Sequence, residues 1–249
     1  MDGSAVKTIA ELEDKNKVLD IGDQKFSRVP YSLIYHDPRP EPLNGSTLKG
    51  LLDYIRENRD GLSYSELMIQ VVSFSEVRLV SAPSGPNEKR TTHFIAKLDE
   101  KLPTFPFDSY LDQEDFIIKS NALFDVTEDR AKVILIASKV AAQDKITGED
   151  DGLAQNVSIT RGVAGAATDE VTTKGWYLLK PYRTFRDIEQ VSSAFILRLR
   201  ENNGKVPRIA LFDAQGEIWR IAAIEAIKNY LIAGLIDSDC QSIDIPVIA

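Results

Sequence analysis

The stretch from Val191 to Leu235 constrains the fold most strongly, because it gives the clearest succession of strand, turn, strand, turn and helix in the chain. The residues from Ser193 to Arg200 and from Arg208 to Phe212 are rich in apolar side chains and predict two strands. Between them, Glu201 to Gly204 supplies residues that tolerate positive φ. A second turn sequence, Asp213 to Gly216, follows. The pattern therefore predicts a β-hairpin that leads into a helix.

Isoleucine, alanine and leucine recur at helical spacing after the second turn, which indicates one broad apolar face. We predict that this face packs on the two strands that precede it. The apolar positions of the predicted helix are Ile218, Ile221, Ala222, Ile224, Ala226, Ile227, Leu231 and Ile232. The unit contains no nucleophile with a base, no metal-ligand set and no phosphate loop, so we interpret it as scaffold.

The amino-terminal part predicts a helix followed by an antiparallel meander. Ser46 or Thr47 can cap the helix, and Gly61 ends it. Three strands are then predicted at residues 67–72, 76–80 and 91–97.

The middle of the chain predicts an αα-hairpin, with helices from about Asp112 to Phe124 and from about Thr127 to Val140. The polar and acidic residues 144–152 predict a loop. Two further strands are predicted at 154–163 and 171–182, joined by a loop of small residues.

Together these elements predict an α+β fold with mostly antiparallel sheets and packed helices. It includes a central helical hairpin and a carboxy-terminal β-hairpin followed by a helix. One domain over residues 1–249 is expected, and the alternative is a subdivision into 1–110, 111–145 and 146–249.

The amino terminus is expected to lie at the edge of this domain. Residues 1–20 carry a few apolar residues among charges, which predicts a short amphipathic helix or an arm. The proline-rich residues 24–43 predict an extended, irregular segment with a short strand at 31–35.

The charge balance argues against broad nucleic-acid binding. The 249 residues include 38 acidic and 30 basic side chains, a formal net charge of −8, whereas affinity for phosphate backbones comes mainly from lysine and arginine. Cys240 is the only cysteine and cannot form an internal disulfide. No run of about eighteen apolar residues occurs. We therefore expect a cytoplasmic protein with no membrane partner.

Catalytic and metal-binding patterns are weak. His36, His93 and Cys240 are too few for a zinc site. The acidic cluster Glu149–Asp151 does not have the spacing of a calcium loop, and a solvated turn explains it. Gly162–Gly165 lacks the third glycine of a dinucleotide fingerprint and the lysine of a P-loop. We predict no catalytic residue, no metal site and no cofactor.

Two segments are candidates for a protein interface. One mixes cations with aromatic rings, a combination enriched where proteins bind one another, and the other is the apolar carboxy-terminal tail. The candidate residues are Tyr182, Arg183, Phe185 and Arg186 in the first segment, and Ile243, Ile245, Val247 and Ile248 in the second. The alternative for the first segment is that its arginines line the solvent face of strands.

The order of segments resembles that of the YfdQ-like family. The resemblance rests on the opening Met1–Val6, on Pro181-Tyr182 followed by Phe195–Arg200, and on the strand that leads into the helix at Trp219–Leu231. That family is encoded by phages and prophages and has no assigned function. The resemblance implies a phage-encoded accessory protein made in the bacterial cytoplasm, and it supplies no catalytic residues.

Three functions remain open. We favour a non-catalytic protein that assembles into a homo-oligomer, because a catalytic constellation is missing and both ends could reach a neighbouring subunit. The second is a binding module that sequesters a host factor, a signalling nucleotide or a nucleic-acid-binding enzyme. Its acidic surface would mimic DNA, or the region of Arg183 and Arg186 would bind an anionic ligand. The third is an enzyme that uses Asp150 and Asp151 with a recruited metal.

Overall fold

The computed structural model describes residues 4, 19–21, 24–26, 40–84, 89–99, 101–140, 145–147, 156–161, 167–172, 175–203, 205–236 and 242–249. The helices with described bounds are α1 Leu48–Glu57, α2 Gln113–Ala122, α3 Glu128–Lys139 and α4 Ile218–Gly234, with a 3-10 helix at Tyr64–Glu66. The strands are β1 Leu19–Ile21, β2 Gln24–Phe26, β3 Leu43–Gly45, β4 Leu67–Ser73, β5 Glu76–Ser81, β6 Thr92–Lys97, β7 Lys145–Thr147, β8 Asn156–Arg161, β9 Ala167–Thr172, β10 Tyr177–Leu179, β11 Ser193–Asn202, β12 Lys205–Asp213 and β13 Val247–Ile248.

The sheets are mostly antiparallel. The largest has the order β13-β4-β5-β6-β3, in which β4, β5 and β6 form an antiparallel meander while β13 and β3 pair in parallel at the two edges. Strands β10-β11-β12 and β7-β8-β9 form two antiparallel three-stranded sheets, and β1 pairs with β2. Because helices pack on antiparallel and mixed sheets, the predicted α+β fold is confirmed.

Local sequence signals place α1 correctly. Thr47 is its N-cap, and the Thr47 side chain accepts a hydrogen bond from the backbone N–H of Gly50 at 3.1 Å. The buried face of α1 carries leucine and isoleucine, as the spacing predicts. The helix ends earlier than expected, at Asn58, which adopts the left-handed region with φ 39°. Gly61, with φ 64°, lies in the turn that follows.

The carboxy-terminal hairpin is also confirmed. Strands β11 and β12 pair in antiparallel register, with Leu197 opposite Leu211 and Leu199 opposite Ile209. Asn203 in the connecting turn has φ 46°, the positive value that the turn sequence predicts. The predicted αα-hairpin corresponds to α2 and α3.

Three local predictions are wrong. Lys145–Thr147 forms β7, although the polar composition around it predicts a loop. The strand predicted at 171–182 is two strands in different sheets, since β9 ends at Thr172 and β10 begins at Tyr177. Leu19 and Asp20, expected in a helix or an arm, belong to β1. The strand predicted at 31–35 lies outside the described residues.

Buried side chains form two hydrophobic cores. The five-stranded core packs α1 and α4 on the five-stranded sheet, and the three-stranded core packs α2 and α3 on β10-β11-β12. Fully buried members of the first are Leu48, Leu51, Ile69, Val77, Leu79, Ile227 and Leu231; those of the second include Phe116, Phe195, Leu197, Ile209 and Leu211. The chain passes between the cores more than once: it leaves the five-stranded core after Leu98, enters the three-stranded core at Phe105, and returns to the five-stranded core at Phe185.

The position of α4 corrects the prediction that it packs on the hairpin before it. Helix α4 lies against β4, β13 and α1, in the five-stranded core. The α2–α3 hairpin already covers the face of β11 that carries Phe195 and Leu197. The buried positions of α4 are Ala223, Ile227 and Leu231, whereas Ile218 and Ile221 are 70% and 73% exposed.

Leu231→Ala is expected to lower the free energy of unfolding by about 3 kcal/mol, because the leucine is fully buried and its loss leaves a cavity. The matched control is Leu135→Ala in α3, where the leucine is 52% exposed and the change is expected to stay within about 0.5 kcal/mol. Urea denaturation measures both. Equal losses would contradict the packing of α4 on the five-stranded sheet.

Candidate functional site

Residues 180–192, which we call the connector, join β10 to β11 and link the two cores. The chain leaves the three-stranded core after Leu179, buries Phe185 and Ile188 in the five-stranded core, and returns to the three-stranded core at Phe195. The predicted interface residues Tyr182, Arg183, Phe185 and Arg186 all belong to this connector.

Gln190 fixes the shape of the connector from inside. Its side chain is 4% exposed, and its Oε1 accepts hydrogen bonds from the backbone N–H groups of Arg183 at 3.1 Å and Thr184 at 3.4 Å. Its Nε2 donates to the carbonyl oxygens of Phe185 at 3.0 Å and Ile188 at 3.3 Å. Both ends of a buried carboxamide are thus used, which removes the cost of burying it.

The connector also binds the elements around it. The Thr184 hydroxyl donates to the carbonyl oxygen of Phe74 at 2.5 Å, in the turn between β4 and β5. The Asp187 carboxylate accepts from the backbone N–H groups of Leu48 at 3.2 Å and Lys49 at 3.1 Å, at the amino end of α1. A carboxylate at this end satisfies unpaired donors and complements the helix dipole. The connector is therefore hydrogen-bonded to the five-stranded side at two places, the β4–β5 turn and the amino end of α1.

Arg183 occupies the seam between the cores. Its guanidinium carbon lies 4.1 Å from the ring centre of Trp219 and 5.5 Å from that of Phe195, within the range of cation–π contacts. It forms an ion pair with Asp213 at 3.4 Å and donates to the Ser193 hydroxyl at 2.6 Å. Its side chain is 11% exposed.

Burial lowers the pKa of Arg183 to about 10, while the neighbouring Asp213 carboxylate opposes that shift. The guanidinium therefore carries its charge at neutral pH. Because Asp213 already balances that charge inside the protein, we interpret Arg183 as a structural cation.

The other cations of the connector also have partners on the same chain. Arg186 is exposed, and its guanidinium lies 4.4 Å from the ring centre of Tyr182. A hydrogen bond with the Asp125 carboxylate, more than burial, raises the pKa of Tyr182. Lys180 forms an ion pair with Glu189. This pairing weakens the interpretation of the connector as a site for an anionic ligand.

The carboxy-terminal tail folds back on its own chain. Strand β13 pairs in parallel with β4, with Val247 opposite Ile69. Two residues predicted for an interface, Phe185 and Ile245, are 0% and 5% exposed in the five-stranded core, so they do not contribute to a surface. Both are apolar residues in irregular segments, where no periodicity separates a buried position from an exposed one.

The remaining tail candidates have intermediate to high exposure. Ile243 and Val247 are half-buried at the border of the five-stranded core, and Ile248 is 50% exposed at the edge of the sheet. The structure therefore brings only part of the predicted interface to the surface.

The exposed face of α4 is a surface that the sequence pattern did not reveal. Seven residues on this face and Ile236, which follows the end of the helix, are all exposed, and we call them the α4 stripe: Ile218, Ile221, Ala222, Glu225, Asn229, Ile232, Ala233 and Ile236. The helix is apolar on more than one side, so periodicity alone could not separate its buried face from its exposed one. The one sequence signal that could have indicated an exposed apolar face is that α4 has more isoleucines than a single face can bury.

Among the described residues, no three histidine, cysteine, aspartate or glutamate side chains lie close enough together to hold a metal ion. His93 is half-buried in β6, as its strand pattern predicts. His36, Cys240 and the acidic cluster Glu149–Asp151 lie outside the described residues. No helix in the described part of the chain has both the length and the apolar character to cross a membrane.

An open depression lies between β3 and the end of β6. Lys97, Asp99 and Lys101 contribute charged side chains of both signs to its lining. The first backbone N–H groups of α1 nearby already donate to Asp187 and Thr47, so they are not directed at this depression. We assign no ligand to it.

No family model, no characterised protein and no solved structure matches this chain.

Gln190→Leu is expected to lower the free energy of unfolding by about 3 kcal/mol or more, since a side chain of similar size leaves four backbone groups of the connector without partners. Gln70→Leu, at an exposed position of β4, is the matched control and should change it by less than about 0.5 kcal/mol. Thermal and urea denaturation test both. A neutral Gln190→Leu would show that the connector does not depend on this side chain.

A double-mutant cycle on Arg183→Met and Asp213→Ala is expected to give a coupling of about 2 kcal/mol, because each single change leaves the other charge buried and unpaired. The comparison is the same cycle on Lys180 and Glu189, whose side chains are 28% and 79% exposed, with a coupling below about 1 kcal/mol. Urea denaturation of the wild type and the six variants provides the values. Equal couplings would refute the structural role of Arg183.

Proposed function

We propose that this protein is a non-catalytic accessory protein whose function is to assemble with further copies of itself. The observation that carries the proposal is the α4 stripe. Ile218 and Ile221 are 70% and 73% exposed, Ile232 on the same helix face is 46% exposed, and Ile236 just after the helix is 48% exposed. Contiguous apolar surface of this kind marks a site where another molecule binds, because leaving it in water is unfavourable.

The composition of the α4 stripe favours a protein partner. Glu225 is its one charged residue and Asn229 its other polar residue, so most of the surface is apolar. An anionic membrane surface would attract a face bordered by many cations, whereas this chain carries a net charge of −8. A nucleic acid would likewise require basic residues.

The phage or prophage origin and the bacterial cytoplasm belong to the same proposal. Their support is the resemblance of the sequence to the YfdQ-like family. The carboxy-terminal tail gives less support to assembly than the sequence suggests, because Ile245 packs inside its own chain. The support for self-assembly therefore moves from the tail to α4.

Light scattering on a sizing column is expected to give a mass of at least twice 27.7 kDa at micromolar concentration. Apolar surface is removed from water in the assembled state, so the mass should fall on dilution only when the concentration passes below the dissociation constant. A mass of 27.7 kDa at every concentration up to the high micromolar range would contradict the proposal. Sequestration of a host protein would then become the leading alternative.

A further inference from the structure

The β11–β12 hairpin carries two like charges directly opposite each other. In the antiparallel register Arg200 pairs with Arg208, and both side chains are exposed. The next pair, Leu199 with Ile209, is buried in the three-stranded core, so the arginines share the face of the sheet that points away from that core. Like charges at opposed positions repel each other, because their Cβ atoms lie only roughly 5 Å apart. The stability of the fold therefore does not explain this pair.

A third segment of the chain completes this face. Leu111 exchanges two backbone hydrogen bonds with Ile209, at 2.8 and 2.9 Å, and packs against the three-stranded core. Because side chains alternate along an extended chain, its neighbours Tyr110 and Asp112 lie on the outer face. The Asp112 carboxylate accepts a hydrogen bond from the Nε–H of Arg208 at 3.0 Å. We call this exposed group the arginine face: Tyr110, Asp112, Arg200 and Arg208.

An aromatic ring, and not an acid, holds the guanidinium of Arg200. The guanidinium carbon lies 4.0 Å from the ring centre of Tyr110, well within the range of cation–π attraction. The Tyr110 ring in turn meets Phe212 edge to face, with 5.9 Å between the ring centres. Within the described residues, no carboxylate forms an ion pair with Arg200. Arg200 is thus a positioned cation whose charge no described acid balances.

Arg208 keeps donors for a second acceptor. Its ion pair with Asp112 uses the Nε–H group, and the two side chains are 50% and 68% exposed. Such exposed pairs contribute little free energy, so they do not prevent the binding of another anion. The terminal NH2 groups of Arg208 have no acceptor in the part of the chain that the structure describes. Arg200 and Arg208 therefore present unused N–H donors on the same face of the hairpin.

We propose that the arginine face binds a phosphate monoester, whose terminal oxygens lie between Arg200 and Arg208. A phosphate monoester carries a charge of about −1.5 to −2 at neutral pH and three acceptor oxygens. A carboxylate has a single charge and two oxygens. Two guanidinium forks match the phosphate in both respects, and the bound dianion replaces their repulsion by attraction. This function goes beyond self-assembly and does not depend on it.

The surroundings favour a small phosphate ligand over a nucleic-acid strand. Strand binding needs cations along several successive phosphates, whereas Asp112 lies beside Arg208 and the exposed Glu201 follows Arg200. Arg198 lies on the same face but is half-buried and already has a partner. The net charge of −8 also opposes a polyanion. The arginine face is therefore large enough for one phosphate group.

Calorimetric titration of the intact chain with inorganic phosphate, at constant ionic strength, tests this site. Two charge-assisted contacts predict a dissociation constant on the order of 1 mM. Arg200→Gln and Arg208→Gln are each expected to raise that constant at least about tenfold, and acetate is expected to bind about tenfold more weakly than phosphate. Arg59→Gln is the matched control, because Arg59 is an exposed arginine that pairs with Glu57 just after α1. It should leave phosphate binding unchanged.

Asp112→Asn tests the electrostatics of the same site in the opposite direction. The asparagine keeps an oxygen for the Nε–H of Arg208 but removes a negative charge beside the phosphate. The dissociation constant for phosphate is therefore expected to fall about threefold at low ionic strength, and added salt should reduce the difference. Weaker phosphate binding by Asp112→Asn would contradict a site between Arg208 and Arg200.

A second set of ligands identifies the source of the phosphate group. A nucleoside monophosphate is expected to bind at least as tightly as inorganic phosphate, and an oligonucleotide without a terminal phosphate is expected to bind more weakly. Tighter binding of the oligonucleotide, lost in both glutamine variants, would overturn the small ligand in favour of a strand. A wild-type protein that does not bind phosphate, or phosphate binding that survives both glutamine substitutions, would overturn the site.

Light scattering on the same variants separates this site from self-assembly. Arg200→Gln and Arg208→Gln are expected to keep the mass of the wild type, whether that is a monomer or an oligomer. A wild-type monomer that binds phosphate would contradict self-assembly alone. A changed mass in the glutamine variants would place the arginine face between copies of the chain and overturn it as a ligand site.

Discussion

The buried carboxamide of Gln190 is the interaction on which the rest of this structure depends. It holds four backbone groups of the connector in place, and the connector carries Thr184 and Asp187 to their partners on the five-stranded side. A backbone segment without regular structure can cross a protein interior only if its polar groups are satisfied. One side chain meets that requirement here, and it lets the chain pass from one core to the other and back.

The two cores are interleaved along the chain, and Arg183 lies where they meet. Its aromatic neighbours come from both sides, with Phe107 and Phe195 in the three-stranded core and Trp219 at the start of α4. Its counter-ion, Asp213, ends β12 just before α4 begins. A buried ion pair adds little net stability, yet it penalises arrangements that separate its members. The Arg183–Asp213 pair therefore favours one orientation of the β11–β12 hairpin relative to α4.

Helix α4 packs on the five-stranded sheet instead of the β11–β12 hairpin that precedes it, and this position bears on the proposed function. Helices α2 and α3 cover the sheet that precedes α4, so α4 packs on β4 and β13 through one narrow face centred on Ile227. A helix that is apolar all round and packs on one side leaves apolar surface on the other. The carboxy-terminal tail also packs within its own chain, because Ile245 is buried in the same core as the inner face of α4. These two facts move the proposed site of assembly from the tail to the helix.

The elements whose signals are local could be predicted from the amino-acid sequence. Thr47 caps α1 because its hydroxyl satisfies the donor of a residue three positions away, and the turn at Asn203 follows from a residue type that tolerates positive φ. The α+β class follows from the order of these predicted helices and strands along the chain. The partners of the predicted residues Tyr182 and Arg183 did not follow, because Asp125 and Asp213 are distant in sequence and no periodicity indicates these contacts. Packing in the folded chain determines that Phe185 and Ile245 are buried, that α4 lies on the five-stranded sheet, and which isoleucines are exposed. Burial is a competition between surfaces for the same space, and its result depends on the whole chain rather than on any segment of it.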